Sequence, residues 1–186
     1  DVVTYEFEHI SVKALQQVEA KGCPVYPSSE TLLHIQNKYD QKQWLMSHGL
    51  PVPDFRKADS YEQLVEDCDY FGYPVILKTC TGGYDGKGNA VIHTREDIRE
   101  AYESLGAGRL PLMVVCRSTN GDVAVFPVAE NVHVNSILDE TTVPADITEA
   151  CREEAMDVAR KAVHAFNAYG MLCIELFVTK DQHVLV

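Results

Sequence analysis

Lys78-Thr-Cys-Thr-Gly-Gly-Tyr-Asp-Gly-Lys-Gly-Asn89 is the stretch on which the reading of this chain turns. An apolar run, Tyr73-Pro-Val-Ile-Leu77, leads into it and Ala90-Val-Ile92 leads out, so it lies between two short strands. Gly82, Gly83, Gly86 and Gly88 leave backbone N–H groups uncovered and permit positive φ. Consecutive uncovered N–H groups in a turn form an anion-binding nest. Lys78 and Lys87, at its two ends, can each meet a phosphate as a point charge. A cationic, glycine-rich flap between strands suits the covering of a nucleoside triphosphate. The same composition also fits a glycine-rich hairpin turn whose lysines serve solubility. No helix opens at Gly88, so the stretch is neither a Walker A loop nor a dinucleotide-binding turn.

The 186 residues suffice for one domain or two small lobes with a real core. A formal net charge of −12 argues against nonspecific nucleic-acid binding and against an anionic membrane surface. It also means that phosphate affinity must come from local lysines and backbone. No apolar run approaches the roughly 20 residues of a membrane helix, and the strand-like start at Asp1 leads to the expectation of no N-terminal signal peptide. Asp1 begins what reads as a strand, with no Met and no preceding turn, which implies a polypeptide incomplete at its N-terminus. The six cysteines form no C-x-x-C pair and no zinc spacing, which favours buried free thiols in a reducing cytoplasm. The seven histidines are scattered.

Outward from the flap, the pattern alternates strands and helices. Residues 1–8 read as a strand, Ser11 caps a helix to about Ala20, and Pro24-Val-Tyr26 is extended. Ser29 caps a further helix in which Leu32, Leu33, Gln36, Tyr39, Trp44 and Leu45 recur at helical spacing, with Gly49 as the stop. Leu50-Pro-Val-Pro53 is a stiff connector. Ser60-x-x-Gln63 is a capping box and Thr94-x-x-Asp97 caps another helix, one on either side of the flap hairpin. The second of these helices carries Ile98, Ala101, Tyr102 and Leu105 on one face. Leu112–Cys116 and Val123–Phe126 flank Asn120-Gly121, a type I′ hairpin signal. Glu130-Asn131-Val-His133 reads as a polar loop. A helix capped near Thr148 turns Ala155, Val158, Ala159, Ala162, Val163 and Phe166 inward and ends by Gly170. Met171–Val178 and His183–Val186 close as a hairpin around Lys180-Asp181. The expected class is α/β with α+β lobes: 1–50 as the end of an N-terminal α/β layer, 51–109 a small lobe with the flap, and 110–186 a large, incomplete lobe.

Glu175 stands inside the last apolar strand, where an ionised carboxylate costs several kcal/mol unless paired or metal-bound. It is either a glutamate on the solvent face of the sheet or a ligand for the Mg²⁺ that a phosphate flap implies. A lysine-and-glycine flap on one lobe and a strand carboxylate on the other describe a clamp for ATP.

Taken together, these motifs resemble the ATP-grasp superfamily, and within it the N5-carboxyaminoimidazole ribonucleotide synthetases of purine biosynthesis. The resemblance is carried by Thr4-Tyr-Glu-Phe-Glu8, Lys38-x-x-x-Lys42, Pro74–Thr79, Gly82–Asn89, Phe126–His133, Pro144-Ala145 and Ile174–Phe177, in the family's order. It implies an ATP-grasp fold, with the tail of a Rossmann-like domain over residues 1–50. It also implies ATP-dependent carboxylation of aminoimidazole ribonucleotide by bicarbonate, through carboxyphosphate, in the cytoplasm. By the same resemblance Lys38, Lys78 and His133 would lie by ATP, with Gly83, Tyr84, Asp85, Gly86, Lys87, Gly88 and Asn89 forming the flap. Tyr84, Asp85 and Lys87 would face bicarbonate and ribonucleotide, Glu6 and Glu8 would be further substrate contacts, and Glu175 the first Mg²⁺ carboxylate. Asp85 equally suits an Asx hydrogen bond that holds the turn. Lys38 stands where many relatives carry arginine, a change from a bidentate donor to a point charge. Relatives are often dimeric.

The family pattern includes an N-terminal glycine-rich start, an adenine-binding segment near 110–114, and an Asn-Glu pair with a basic segment after Val186. None of these is in the sequence, and the expectation is that segments of the polypeptide are omitted. Two alternatives remain: another ATP-grasp ligase, formate-dependent transformylase or biotin-carboxylase-like, and an inactive nucleotide-binding fragment. Tyr84-Asp85 and the Glu-Asn-Val-His133 segment argue against the first.

Overall fold

The structure is a computed structural model that describes residues 1–81, 88–103, 112–117, 122–134 and 137–186. The side chains of 112–117, His133 and Ile137 lie outside the described set. Packing divides the chain into two compact units. The first comprises Asp1–Pro53, Leu110–Glu130 and Thr142–Val186; the second comprises Asp54–Arg109 and Asn131–Thr141.

The first unit opens as a strand–helix–strand. β1 (Val3–Thr4) and β2 (Val25–Tyr26) pair in parallel, and α1 (Val12–Glu19) makes the crossover between them. Ser11 caps α1 by accepting from the Ala14 N–H. Leu15, Val25 and Leu32 form a small core here. The continuous helix expected over Leu32–Leu45 is two helices, α2 (Ser29–Ile35) and α3 (Lys38–Ser47). The break has a local cause: Asn37 is extended (φ −109°) and its Oδ1 accepts from the Tyr39 and Asp40 N–H groups, starting a new helix. The cap of α2 is Ser28 in place of Ser29, which occupies the first helical position.

In the second unit, α4 (Tyr61–Phe71) starts at Ser60, whose hydroxyl accepts from the Gln63 N–H, and ends at Gly72 (φ +75°). β3 (Val75–Lys78) and β4 (Asn89–Ile92) pair antiparallel with Lys78 opposite Asn89. The Thr94–Asp97 capping box opens a 3-10 turn, Arg95–Asp97, that runs into α5 (Ile98–Glu103). Ile98 and Ala101 are buried with Leu64, Cys68, Ala90 and Ile92. Tyr102 departs from the expected apolar face: it is exposed, and its ring meets Tyr61 edge-on. Leu105 lies outside the described residues.

β5 (Leu112–Arg117) pairs antiparallel with β6 (Val123–Val125), as the Asn-Gly signal required, although Asn120 and Gly121 themselves lie outside the described residues. Glu130–His133 is not a loop. It belongs to β7 (Glu130–Val134), which pairs with β8 (Ile137–Thr142), a strand the sequence reading did not foresee. Asn131 accounts for the error: a polar residue that suggests a loop is here buried and accepts from the Thr141 hydroxyl at 2.8 Å.

α6 (Glu149–Ala165), capped by Thr148, covers the three-stranded sheet β6-β5-β9, in which β9 is Gly170–Glu175. Its inward alanines allow close approach, and Ala155, Val158, Ala159, Ala162 and Val163 share one core with Leu45, Leu50, Leu176 and Val184. The helix stops at Ala165, by Gly170 as expected, and Asn167 (φ +44°) lies just past its end. Gly170 starts β9 at φ +94°, where a Cβ would stand 3.2 Å from the Cβ of Tyr26. β10 (Phe177–Val178) and β11 (Val184–Leu185) form the closing hairpin. Among the described residues no helix is long and apolar enough to cross a membrane.

Candidate functional site

The β3–β4 hairpin brings the two ends of the glycine stretch together. Continuous antiparallel pairing from Val75↔Ile92 to Lys78↔Asn89 is extended by the Thr79 N–H donating to the Gly88 carbonyl at 2.9 Å. Lys78, Gly88 and Asn89 therefore converge at the mouth of the hairpin. Gly83, Tyr84, Asp85, Gly86 and Lys87 lie outside the described residues. At this mouth Thr79 Oγ1 and Asn89 Oδ1 are buried and have no hydrogen-bond partner among the described residues. A buried polar atom left unpaired costs about 1–3 kcal/mol, so both atoms suit a polar ligand group. The Thr79 hydroxyl can donate to a phosphate oxygen beside the Lys78 ammonium, while Asn89 Oδ1 can only accept. These donors fit a nucleoside triphosphate.

In the first unit the chain leaves β1 through an acidic turn. Glu6 is exposed and Glu8 half-buried, and Glu8 Oε1 lies 3.8 Å from Lys38 Nζ and 3.7 Å from His9 Nε2. Lys38 is the first residue of α3, where the helix dipole disfavours a cation. Glu8 and Asp40, the latter in the first turn of α3, offset that cost. A phosphate at Lys38 would be favoured by ammonium and dipole together. Tyr5, just before this turn, has its phenol pushed up to about 12 by burial and then by the Glu19 carboxylate.

β9 alternates: Leu172 and Ile174 are half-buried on the α6 side, while Met171, Cys173 and Glu175 are exposed on the other face. Glu175 thus occupies the open face and stands in register with Leu112. Desolvation against the sheet, with the Glu175 carboxylate second, pushes the Cys173 thiol up to about 11. Among the described residues no group of three or more His, Cys, Asp or Glu side chains could hold a metal ion. A lone accessible carboxylate remains compatible with Mg²⁺, which takes one or two carboxylates and otherwise phosphate and water. His133 has its backbone in β7, and its side chain lies outside the described residues.

Sequence reasoning missed Thr79 and Gln36. Thr79 is an ordinary β-former next to a lysine, and nothing in its neighbours predicts burial without a partner. Gln36 reads in the sequence as one position of a helical stripe, yet it sits at the α2–α3 break and its Nε2 donates to the Glu8 and Ile10 carbonyls. The signal that could have found it is the Gln36-Asn37 pair, since Asn is a helix-start residue.

Comparison with known proteins gives a consistent set. The profile of the ATP-grasp domain matches residues 43–186. The chain is 34% identical over 197 aligned positions to the N5-carboxyaminoimidazole ribonucleotide synthase of Bacillus subtilis (strain 168), covering 100% of this chain and 52% of that protein. A crystal structure of an N5-carboxyaminoimidazole ribonucleotide synthetase in complex with ADP superposes with a TM-score of 0.90 at 39% identity, covering 100% of this chain and 52% of that one. The Aspergillus clavatus N5-carboxyaminoimidazole synthase, crystallised with ADP and 5-aminoimidazole ribonucleotide, gives a TM-score of 0.87 at 31% identity, covering 100% and 51%. The chain thus spans about half the length of the relatives it matches here.

Proposed function

The chain belongs to the ATP-grasp family, and from that premise we propose that it carries part of the site for ATP-dependent carboxylation of 5-aminoimidazole ribonucleotide. The product is N5-carboxyaminoimidazole ribonucleotide, with ADP and phosphate released. The observation that carries this reading is the hairpin mouth, where Lys78 faces Asn89 across the register and buried polar atoms stand unpaired. Its likeness to synthetases crystallised with ADP, and with ADP and the ribonucleotide, supplies the substrate class.

Phosphoryl transfer asks the protein mainly for positioning and charge neutralisation. A bicarbonate oxygen attacks the γ-phosphorus, the bond to the β-phosphate oxygen breaks, and ADP departs. Carboxyphosphate then gives CO2 and phosphate. The ribonucleotide amine attacks the carbon of CO2 and loses one proton, which leaves the carbamate. Lys78 and Lys38 neutralise phosphate charge, the Thr79 hydroxyl donates to a phosphate oxygen, and Gly83–Asn89 with His133 enclose the nucleotide. Tyr84, Asp85 and Lys87 face bicarbonate and ribonucleotide, and Glu6 and Glu8 meet the ribonucleotide. Mg²⁺, held in part by Glu175, would supply further charge neutralisation at the phosphates. A cover over the site keeps water from carboxyphosphate.

The test is phosphate release from ATP and bicarbonate with three acceptors in turn: aminoimidazole ribonucleotide, glycinamide ribonucleotide with formate, and biotin. Release stimulated by the first alone supports the assignment, and release indifferent to it overturns the substrate. Loss of turnover in Glu175→Gln excludes a nucleotide-binding fragment without catalysis.

A further inference from the structure

Gln36 is half-buried at the junction of α2 and α3. Its backbone N–H closes α2 on the Leu32 carbonyl, and Asn37 supplies the cap of α3, so neither helix uses the Gln36 side chain. That side chain crosses to the turn after β1. Nε2 lies 2.6 Å from the Glu8 carbonyl oxygen and 2.7 Å from that of Ile10. An amide NH2 carries two hydrogens, so one group can satisfy both carbonyls at once. The two acceptors bracket His9 and pin the turn at two points. Glu8 in that turn lies 3.8 Å from Lys38, and Lys38 is two residues beyond Gln36.

We propose that Gln36 is a positioning residue: its paired hydrogen bonds fix the Glu6–Ile10 turn against the start of α3, so that the turn's carboxylates and the Lys38 ammonium keep one separation. The inference rests on the proposed reaction, in which the carboxylates meet the ribonucleotide and Lys38 meets ATP. It assigns to Gln36 the registration of one substrate's contacts against the other's, without contact to either. Misplacement of binding groups by about 1 Å can cost up to roughly a hundredfold in rate, so a two-point anchor has a kinetic consequence.

Gln36→Leu keeps the bulk and removes the donors; Gln36→Glu keeps the shape but turns only acceptors toward two carbonyls. The measurements are steady-state kinetics with both substrates varied, thermal melting, and amide hydrogen exchange over residues 6–11 of the full chain. In Gln36→Leu the KM for the ribonucleotide rises about tenfold while kcat changes less than about twofold, and exchange increases over 6–11 but not in α1. Gln36→Glu is worse than Gln36→Leu on both readouts. A folded Gln36→Leu chain with the parental KM for the ribonucleotide overturns the inference, whether or not exchange rises. A parallel fall of kcat and melting temperature with no selective change in KM also overturns it, because that is a purely structural role. Absence of ribonucleotide-dependent turnover in the unsubstituted chain overturns the reaction itself, and this inference with it.

Discussion

The core under α6 and the mouth of the β3–β4 hairpin are built by opposite rules. Beneath α6, Ala155, Val158, Ala159, Ala162 and Val163 meet Leu45, Leu50, Leu176 and Val184, an all-apolar contact with nothing left to satisfy. At the hairpin mouth, Thr79 Oγ1 and Asn89 Oδ1 are removed from water with no partner among the described residues. The first arrangement maximises stability of the protein alone. The second forgoes stability and is explained if a ligand completes it. Substitutions in the two regions should therefore separate stability from binding.

The largest effect is expected under α6. Ala159→Asp places an unpaired carboxylate at a site with no exposure, at a cost of about 4 kcal/mol or more. A chain that still melts near the parental temperature would break the contrast. Next is Lys78→Ala, which on the proposed function removes a charge-assisted contact worth about 1.5–3 kcal/mol, so the Kd for ATP should rise roughly 10- to 150-fold. Isothermal titration reads that change, and thermal melting should move far less than in Ala159→Asp.

Thr79→Val sharpens the contrast most. It exchanges an unpaired buried hydroxyl for a methyl group, so the melting temperature should hold or rise. The Kd for ATP should nonetheless weaken, by about 1 kcal/mol or roughly fivefold. A loss of stability with unchanged ATP affinity would show that the hydroxyl serves the fold.

The smallest effect concerns Tyr5, whose phenol is raised from 10.0 to about 12 by burial and then by Glu19. Because the folded chain favours the neutral phenol, this stabilisation is complete below about pH 10 and is lost as pH rises toward 12. Glu19→Gln removes the second cause and should lower the titration midpoint of Tyr5, followed by tyrosinate absorbance. A midpoint unchanged or higher would contradict the placement of Glu19 beside Tyr5.

The elements were legible where chemistry is local. Ser11, Ser60, Thr94 and Thr148 announced helix starts that the structure contains, and Gly72 announced an end. The fold family was legible from the flap and the motifs flanking it. What escaped was set by tertiary partners. Asn131 reads as a loop residue until Thr141 is placed beside it, and Asn37 reads as mid-helix until its side chain is seen closing on Tyr39 and Asp40. Gln36 cannot be told from its helical neighbours without the Glu8 and Ile10 carbonyls, 28 and 26 residues away respectively. Of the candidate site, the residue types at Lys38, Lys78, Asn89 and Glu175 were legible. That two polar atoms at the hairpin mouth would be buried and unpaired was not, since burial is a property of the packed unit.

The central claim is carboxylation through carboxyphosphate, and oxygen transfer tests it most directly. With bicarbonate carrying ¹⁸O, the oxygen that attacks the γ-phosphorus stays on phosphorus when carboxyphosphate releases CO2. The account predicts one ¹⁸O in each phosphate released, with release dependent on aminoimidazole ribonucleotide. Phosphate free of the label would mean that water attacks ATP, and would contradict the account.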